Sequence, residues 1–310
     1  MGPTATGKTA LALRLAESYP IEIISVDSAL IYRDMNIGTA KPSDAELAGV
    51  PHHLINIISP LQSYSVANFL RDTKRLVDEI IARRRLPVLV GGTMMYYNAL
   101  INGISELPES DHIIRAAIEE KGERLGWDKL HAELSMIDPV AAKKIMPLDK
   151  QRITRALEVC QITQIPMTAM QQKTKIKVCG GVDFIPLAII PQNREILHNR
   201  INIRFEKMLQ DGLIDEVAGL KIKYPELTID HTSMRCVGYY QVWQHLEQQI
   251  NYTQLIEMGK AATRQLAKRQ ITWLKNMQMP NNMEMVNLDE DGSLSLPQLF
   301  TQLCLHLDDI

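Results

Sequence analysis

Gly2-Pro3-Thr4-Ala5-Thr6-Gly7-Lys8-Thr9 opens the chain and fits G-x-x-x-x-G-K-[ST], the phosphate-binding P-loop. In such a loop glycines let the backbone curl so that its N–H groups point at phosphate oxygens. The Lys, here Lys8, adds a positive charge, and the Thr, here Thr9, offers a hydroxyl to Mg²⁺. A helix predicted over 9–19 aims its positive dipole end at the same anion. A Gly-rich turn that merely caps a helix is the plainer reading, and Lys-Thr at a helix start disfavours it. The motif belongs after a buried strand, and only Met1 precedes it here. The expectation is therefore a sheet whose inner strands lack a ladder partner, and lower stability or activity than in an upstream-extended form.

Working outward, Glu22-Ile23-Ile24-Ser25-Val26-Asp27 reads as a buried parallel strand, short and β-branched. Ligands of open α/β sheets sit beyond the carboxyl ends of strands, which puts Asp27 beside the P-loop phosphates. A helix N-cap is its structural alternative. Residues 32–51 read as a loop, 52–58 as a short strand and 66–85 as an amphipathic helix ending in Arg83-Arg84-Arg85. Pro87-Val88-Leu89-Val90 reads as a second buried strand that breaks into Gly91-Gly92-Thr93. It lacks the terminal Asp of an ATPase's second motif, which argues against ATP hydrolysis.

The α/β rhythm stops there. Helices alone are predicted at 113–125, 127–137, 139–146 and 150–164, and Arg152 and Arg155 share a face of the last. The fold class is thus α/β: a P-loop core with a parallel sheet flanked by helices, over 1–110 and 180–310, interrupted by an all-helical subdomain over 111–179. A strand is predicted over 182–190, helices over 193–210, 214–222 and 233–248, and a short strand at 283–286 with a last helix from Pro297. The stretch 252–275 reads as a long helix bearing Lys260, Arg264, Lys268, Arg269 and Lys275, with Trp273 among them. No acidic residue occurs from Met258 to Met283. Basic charge with an aromatic suits phosphate-backbone contact and base stacking; an ordinary amphipathic helix is the alternative.

Composition narrows the classes. The net charge of −2 over 310 residues excludes a uniformly basic protein but not a local basic face. No apolar run approaches the roughly 20 residues of a membrane span. Cys160, Cys179, Cys236 and Cys304 form no C-x-x-C, and the eight histidines no H-E-x-x-H. A reduced cytoplasmic protein without a zinc cluster is expected.

Seven stretches together carry a resemblance. Gly2–Thr9, Ser25–Ser28, Gly38-Thr39-Ala40-Lys41-Pro42, Gly91–Thr93, Asp149–Val159, Arg235–Tyr239 and Thr263–Leu274 run in order and resemble the tRNA dimethylallyltransferases. The resemblance implies transfer of a dimethylallyl group from its diphosphate to N6 of adenosine 37, beside the tRNA anticodon. The tRNAs implied read codons that start with U; the products are N6-isopentenyladenosine and pyrophosphate. It implies Mg²⁺, held by Thr9, and a P-loop (Gly2, Pro3, Thr4, Ala5, Thr6, Gly7, Lys8, Thr9) that binds an isoprenoid diphosphate with help from Arg204. Asp27, Lys8 and Thr9 become the catalytic set, with Asp27 as general base for the weakly nucleophilic N6 amine. The tRNA contacts implied are Asp27, Ser28, Ala29, Leu30, Thr93, Arg115, Gln151, Arg152, Ile153, Thr154, Arg155, Arg235, Cys236, Val237, Gly238, Tyr239 and Tyr240. They continue through Lys268, Arg269, Gln270, Ile271, Thr272, Trp273, Leu274 and Lys275. Asn36 and Tyr240 depart from residues common in the family. A monomer that engages the anticodon stem-loop and no membrane is expected. The competing readings are an adenylate isopentenyltransferase acting on AMP, a P-loop small-molecule kinase and a nonenzymatic RNA-binding module. The basic helix and the helical insertion favour RNA over a mononucleotide.

Overall fold

The computed structural model describes residues 1–172, 175–179, 181–191, 193–277 and the backbone of 284–288. The chain forms two compact units, one of Met1–Ile101 with the chain from Cys179 onward, the other of Asn102–Val178. The second unit starts at Asn102 and its first helix at His112.

The first unit opens with α1 (Lys8–Ala16), β1 (Ile21–Val26), α2 (Asp44–Gly49), β2 (His52–His53), α3 (Val66–Ala82), β3 (Leu86–Gly91) and α4 (Met94–Asn102). All six residues of β1 are buried, as an apolar β-branched strand at the centre of a sheet requires. β1 pairs in parallel with β2 on one side and with β3 on the other, from Ile21↔Leu86 to Val26↔Gly91. Leu11, Ala12 and Leu15 of α1 are buried, and Ala12 and Leu15 share a core cluster with Ile21 and Ile23 of β1.

The second unit holds α5 (His112–Leu125), α6 (Trp127–Ile137), α7 (Pro139–Lys144), α8 (Lys150–Thr163) and α9 (Met167–Gln171). Asp111, Asp138 and Asp149 cap α5, α7 and α8 through backbone N–H groups, the role these short side chains play at helix starts. Ile104 and Ile176 exchange backbone hydrogen bonds across the mouth of the insertion. The apolar centre contains Ile118, Trp127, Leu130, Leu134, Ile153 and Leu157.

The first unit resumes with β4 (Leu187–Pro191), α10 (Arg194–Gln210), α11 (Leu213–Lys223), a 3₁₀ turn (Thr232–Arg235), α12 (Tyr239–Leu246), α13 (Tyr252–Asn276) and β5 (Glu284–Leu288). Tyr32, Met35, Phe205, Leu213, Tyr239, Val242 and Leu255 form its second core. β4 pairs in parallel with β5, and no ladder joins this pair to β3 among the described residues. Met1 hydrogen-bonds to β4 through Leu187 O and Ile189 N–H, and residues 86–90 of β3 are only half-buried.

Several expectations need correction. The strand over 52–58 stops at His53, because Leu54 and Asn56 adopt positive φ of 61° and 57°. The loop over 32–51 contains α2, opened by a Ser43–Glu46 capping box. The strand over 182–190 starts only at Leu187. The helix over 233–248 breaks at Cys236–Gly238, where Gly238 takes φ of 94°. The final helix from Pro297 lies outside the described residues.

Candidate active site

The P-loop curls back on itself before it becomes α1. Ala5 and Gly7 take left-handed φ of 64° and 80°, a region open to glycine and costly to most other residues. The buried Thr6 hydroxyl donates to Pro3 O at 2.8 Å, and Lys8 Nζ donates to the same carbonyl at 2.5 Å. The first turn of α1 carries no acidic side chain, so its amide dipoles face a phosphate unopposed.

Two neighbouring turns complete the sheet edge. Asp27 follows β1 directly, and its Oδ1 accepts the Ala29 N–H at 2.8 Å. Gly91 ends β3 so close to β1 that a Cβ there would lie 2.0 Å from Val26 O; only glycine fits. Thr93 N–H donates to Val26 O, and the Thr93 hydroxyl accepts the Ser28 N–H at 3.0 Å. The turns bearing Asp27 and Thr93 are therefore tied together.

A cavity of about 880 Å³ lies over these turns. The P-loop from Thr4 to Thr9, Asp27 to Leu30, Gly38 to Pro42, Gly91 to Met95, Arg204, Arg235 to Val237, Arg269, Gln270 and Trp273 line it. Its electrostatics are those of an anion site. Burial lowers the Lys8 ammonium to about 8, with Arg204 opposing its charge and Asp27 favouring it. Burial likewise lowers Arg204, which Asp27 supports. Burial raises the Asp27 carboxyl despite the Ala29 N–H bond and the pull of Lys8. Two crowded, desolvated cations gain most from a dianionic ligand, and a carboxylate with raised proton affinity suits a general base. The Cys236 thiol, pushed up to about 12 by burial, stays neutral and is no nucleophile at neutral pH. Among the described residues no group of three or more His, Cys, Asp and Glu is placed to hold a metal. Thr9 is exposed at the start of α1 and lines the cavity. A P-loop hydroxyl with ligand phosphate oxygens and water is a donor set that Mg²⁺ accepts, and Thr9 fits it.

Other sequence-predicted residues fall elsewhere. Arg115 and Arg155 both pair with Glu158, which is fully buried within the insertion. Ile153 and Thr154 are buried in the core of that unit. Gln151 and Arg152 are exposed on α8. Tyr239 is buried, and its hydroxyl donates to Glu216 at 2.5 Å, so it too serves the core; Tyr240 next to it is exposed. Of the predicted contacts on α13, Lys268, Arg269, Thr272, Trp273 and Lys275 are exposed, Gln270 and Ile271 are half-buried and Leu274 is buried.

Two further side chains hold a cavity-lining turn in shape. Glu216, on α11, accepts the N–H groups of Asn36, Ile37 and Gly38, which shapes the cavity-lining 38–42 turn. Lys41 reaches back to Tyr32 O, Asn36 and Asn56 from the same turn. Gly38–Pro42 carries the local sequence signal of this network, and Glu216 stands 180 residues away from Asn36.

The fold and the cavity define a P-loop α/β protein whose phosphate site faces a carboxylate and a basic helix. The IPP transferase family model matches residues 30–277, and the chain belongs to that family. A tRNA dimethylallyltransferase from Chromobacterium violaceum is 53% identical over 277 residues, covering 89% of this chain and 85% of that one. Among solved structures, the full-length tRNA isopentenylpyrophosphate transferase from Bacillus halodurans is 34% identical with a TM-score of 0.67, covering 99% of this chain and 95% of that chain. A eukaryotic dimethylallyltransferase, captured acting on tRNA, is 26% identical with a TM-score of 0.77, covering 99% and 76% respectively.

Proposed function

We propose that this protein transfers a dimethylallyl group from dimethylallyl diphosphate to N6 of adenosine 37 in the anticodon loop of tRNA. The single observation that carries this reading is one cavity lined by the P-loop, Arg204, Asp27 and, from α13, Arg269 and Trp273. The C–O bond of the allylic donor breaks and its electron pair leaves with pyrophosphate. P-loop N–H groups, Lys8 and Arg204 take up that charge. Preorganised donors of this kind are typically worth about 10²–10³ in rate each. Mg²⁺, held by Thr9, would supply further charge neutralisation at the diphosphate. The N6 nitrogen bonds to the allylic carbon, and the proton it sheds passes to Asp27.

The acceptor adenine has to leave its stack to enter such a cavity, as base-modifying enzymes require. Lys268, Arg269 and Lys275 would hold the RNA backbone and Trp273 would offer a stacking face. An enzyme of this kind acts in the cytoplasm, as a monomer. The test is incorporation of labelled dimethylallyl group with tRNA, AMP or no acceptor. Label in tRNA alone is expected. Label in AMP, or phosphorylation of a small acceptor by ATP, would overturn the reading.

A further inference from the structure

Gln270 sits on the basic helix but does not point its amide at solvent. Its Oε1 accepts the Thr4 N–H at 2.9 Å and its Nε2 donates to Gly92 O at 2.8 Å. One side chain therefore joins the P-loop to the turn after β3. That turn is joined in its own right to the Asp27 turn by the bond from Ser28 N–H to Thr93 Oγ1. The fit is close: a Cβ on Gly92 would lie 2.4 Å from Gln270 Nε2 and 3.3 Å from Gly2 O. The path from donor loop to Asp27 thus runs Thr4, Gln270, Gly92, Thr93, Ser28. The bond also decides where one P-loop N–H goes. Thr4 donates to Gln270, which fixes the curl of the remaining donors before any ligand arrives.

We infer that Gln270 is a positioning residue, which sets the P-loop against the Asp27 turn so that leaving group and base are held in one geometry. The inference rests on the donor-site reading above. A main-chain bridge from a side chain flanked by Arg269 and Ile271 is not what a helix needs for its own stability. Gln270 is half-buried while Lys268, Arg269, Thr272 and Trp273 stay exposed around it. Its contribution to RNA binding is accordingly small, and its contribution to donor binding large. Misplacing reacting groups by about 1 Å can cost on the order of 10²-fold in rate.

The test compares Gln270→Met, which keeps the volume and loses both hydrogen bonds, with Gln270→Glu, which keeps an acceptor for Thr4 N–H but cannot donate to Gly92 O. Binding of Mg²⁺-pyrophosphate and of tRNA is measured separately, with single-turnover transfer at saturating donor and tRNA. For Gln270→Met the expected result is at least tenfold weaker pyrophosphate binding, tRNA binding within about threefold of wild type and at least tenfold slower transfer. Gln270→Glu keeps the Thr4 acceptor but adds a carboxylate to the anion cavity, so pyrophosphate affinity and transfer rate should both fall. Wild-type pyrophosphate affinity in Gln270→Met would overturn the assignment, as would a tenfold loss of tRNA affinity, which would make Gln270 an RNA contact. Failure of the wild type to bind pyrophosphate would overturn the donor-site reading and the assignment with it.

Discussion

Gly259 and Gly219 both lie inside helices, and the same substitution should act on them in opposite directions. Replacing glycine by alanine in a helix interior favours the helix by about 0.8–1 kcal/mol. At Gly219 on α11 a new Cβ meets nothing within 4 Å, so Gly219→Ala should raise stability by most of that amount. At Gly259 on α13 the new Cβ would lie 1.9 Å from Cζ of Phe205 on α10, with two further ring atoms at 2.3 and 2.6 Å. Carbon atoms rest at roughly 3.5–4.0 Å, so the ring or the helix must shift by about 1.6 Å or more. Phe205 is 2% exposed and packed in the core with Tyr239 and Leu255, so its ring can yield only toward the cavity it lines. Overpacking of this kind costs about 1–3 kcal/mol, occasionally more, which exceeds the helical gain. Thermal or urea unfolding of both variants beside wild type measures the difference. Gly259→Ala should unfold several degrees lower, and its donor affinity should fall, because Phe205 and Arg204 both line the cavity. Equal stability of the two variants would refute the close crossing of α10 and α13.

The remaining predictions concern the site and one distant ion pair. Asp27→Ala should lower transfer by about 10²–10⁴, the usual worth of a general base, and leave tRNA affinity within a few-fold; a large affinity loss would reassign Asp27 to binding. Because burial raises the Asp27 carboxyl, the acid limb of wild-type activity should lie above the ordinary carboxylate range. Lys268→Ala with Arg269→Ala should weaken tRNA binding and reduce the slope of log K against log salt by about 1–2; an unchanged slope would remove both from the interface. At the far end of β1, Glu22 is held at about 2, first by the Arg83 guanidinium and also by His53. A carboxyl lowered in the folded state stabilises fully above its ordinary value and loses that contribution as pH falls toward 2. Arg83→Gln should therefore move acid unfolding to higher pH, and an unshifted midpoint would show that the pair contributes nothing.

How much was legible depended on whether the chemistry was local. The P-loop, β1, β3 and most helix starts could be read because apolar periodicity, caps and the Gly-Lys-Thr spacing sit within a few residues. α6 runs from Trp127 to Ile137, the bounds its periodicity suggested. Elements set by distant partners could not be read. The break before α12 follows from Gly238 and from Tyr239 finding Glu216. The early end of β2 follows from two left-handed residues that carry no glycine signal. The burial of Ile153 and Thr154 within α8 was not legible either, since a motif identifies a segment but not which side of the helix meets the core. The same holds on α13, where Gln270 turns inward beside the exposed Arg269.

The most direct measurement is mass analysis of tRNA nucleosides after incubation with the protein, dimethylallyl diphosphate and Mg²⁺. Dimethylallyl transfer predicts N6-isopentenyladenosine, mapped to position 37, with one pyrophosphate released per modified nucleoside. Folded, tRNA-binding protein that leaves the nucleosides unmodified, or modification at another position, would contradict it.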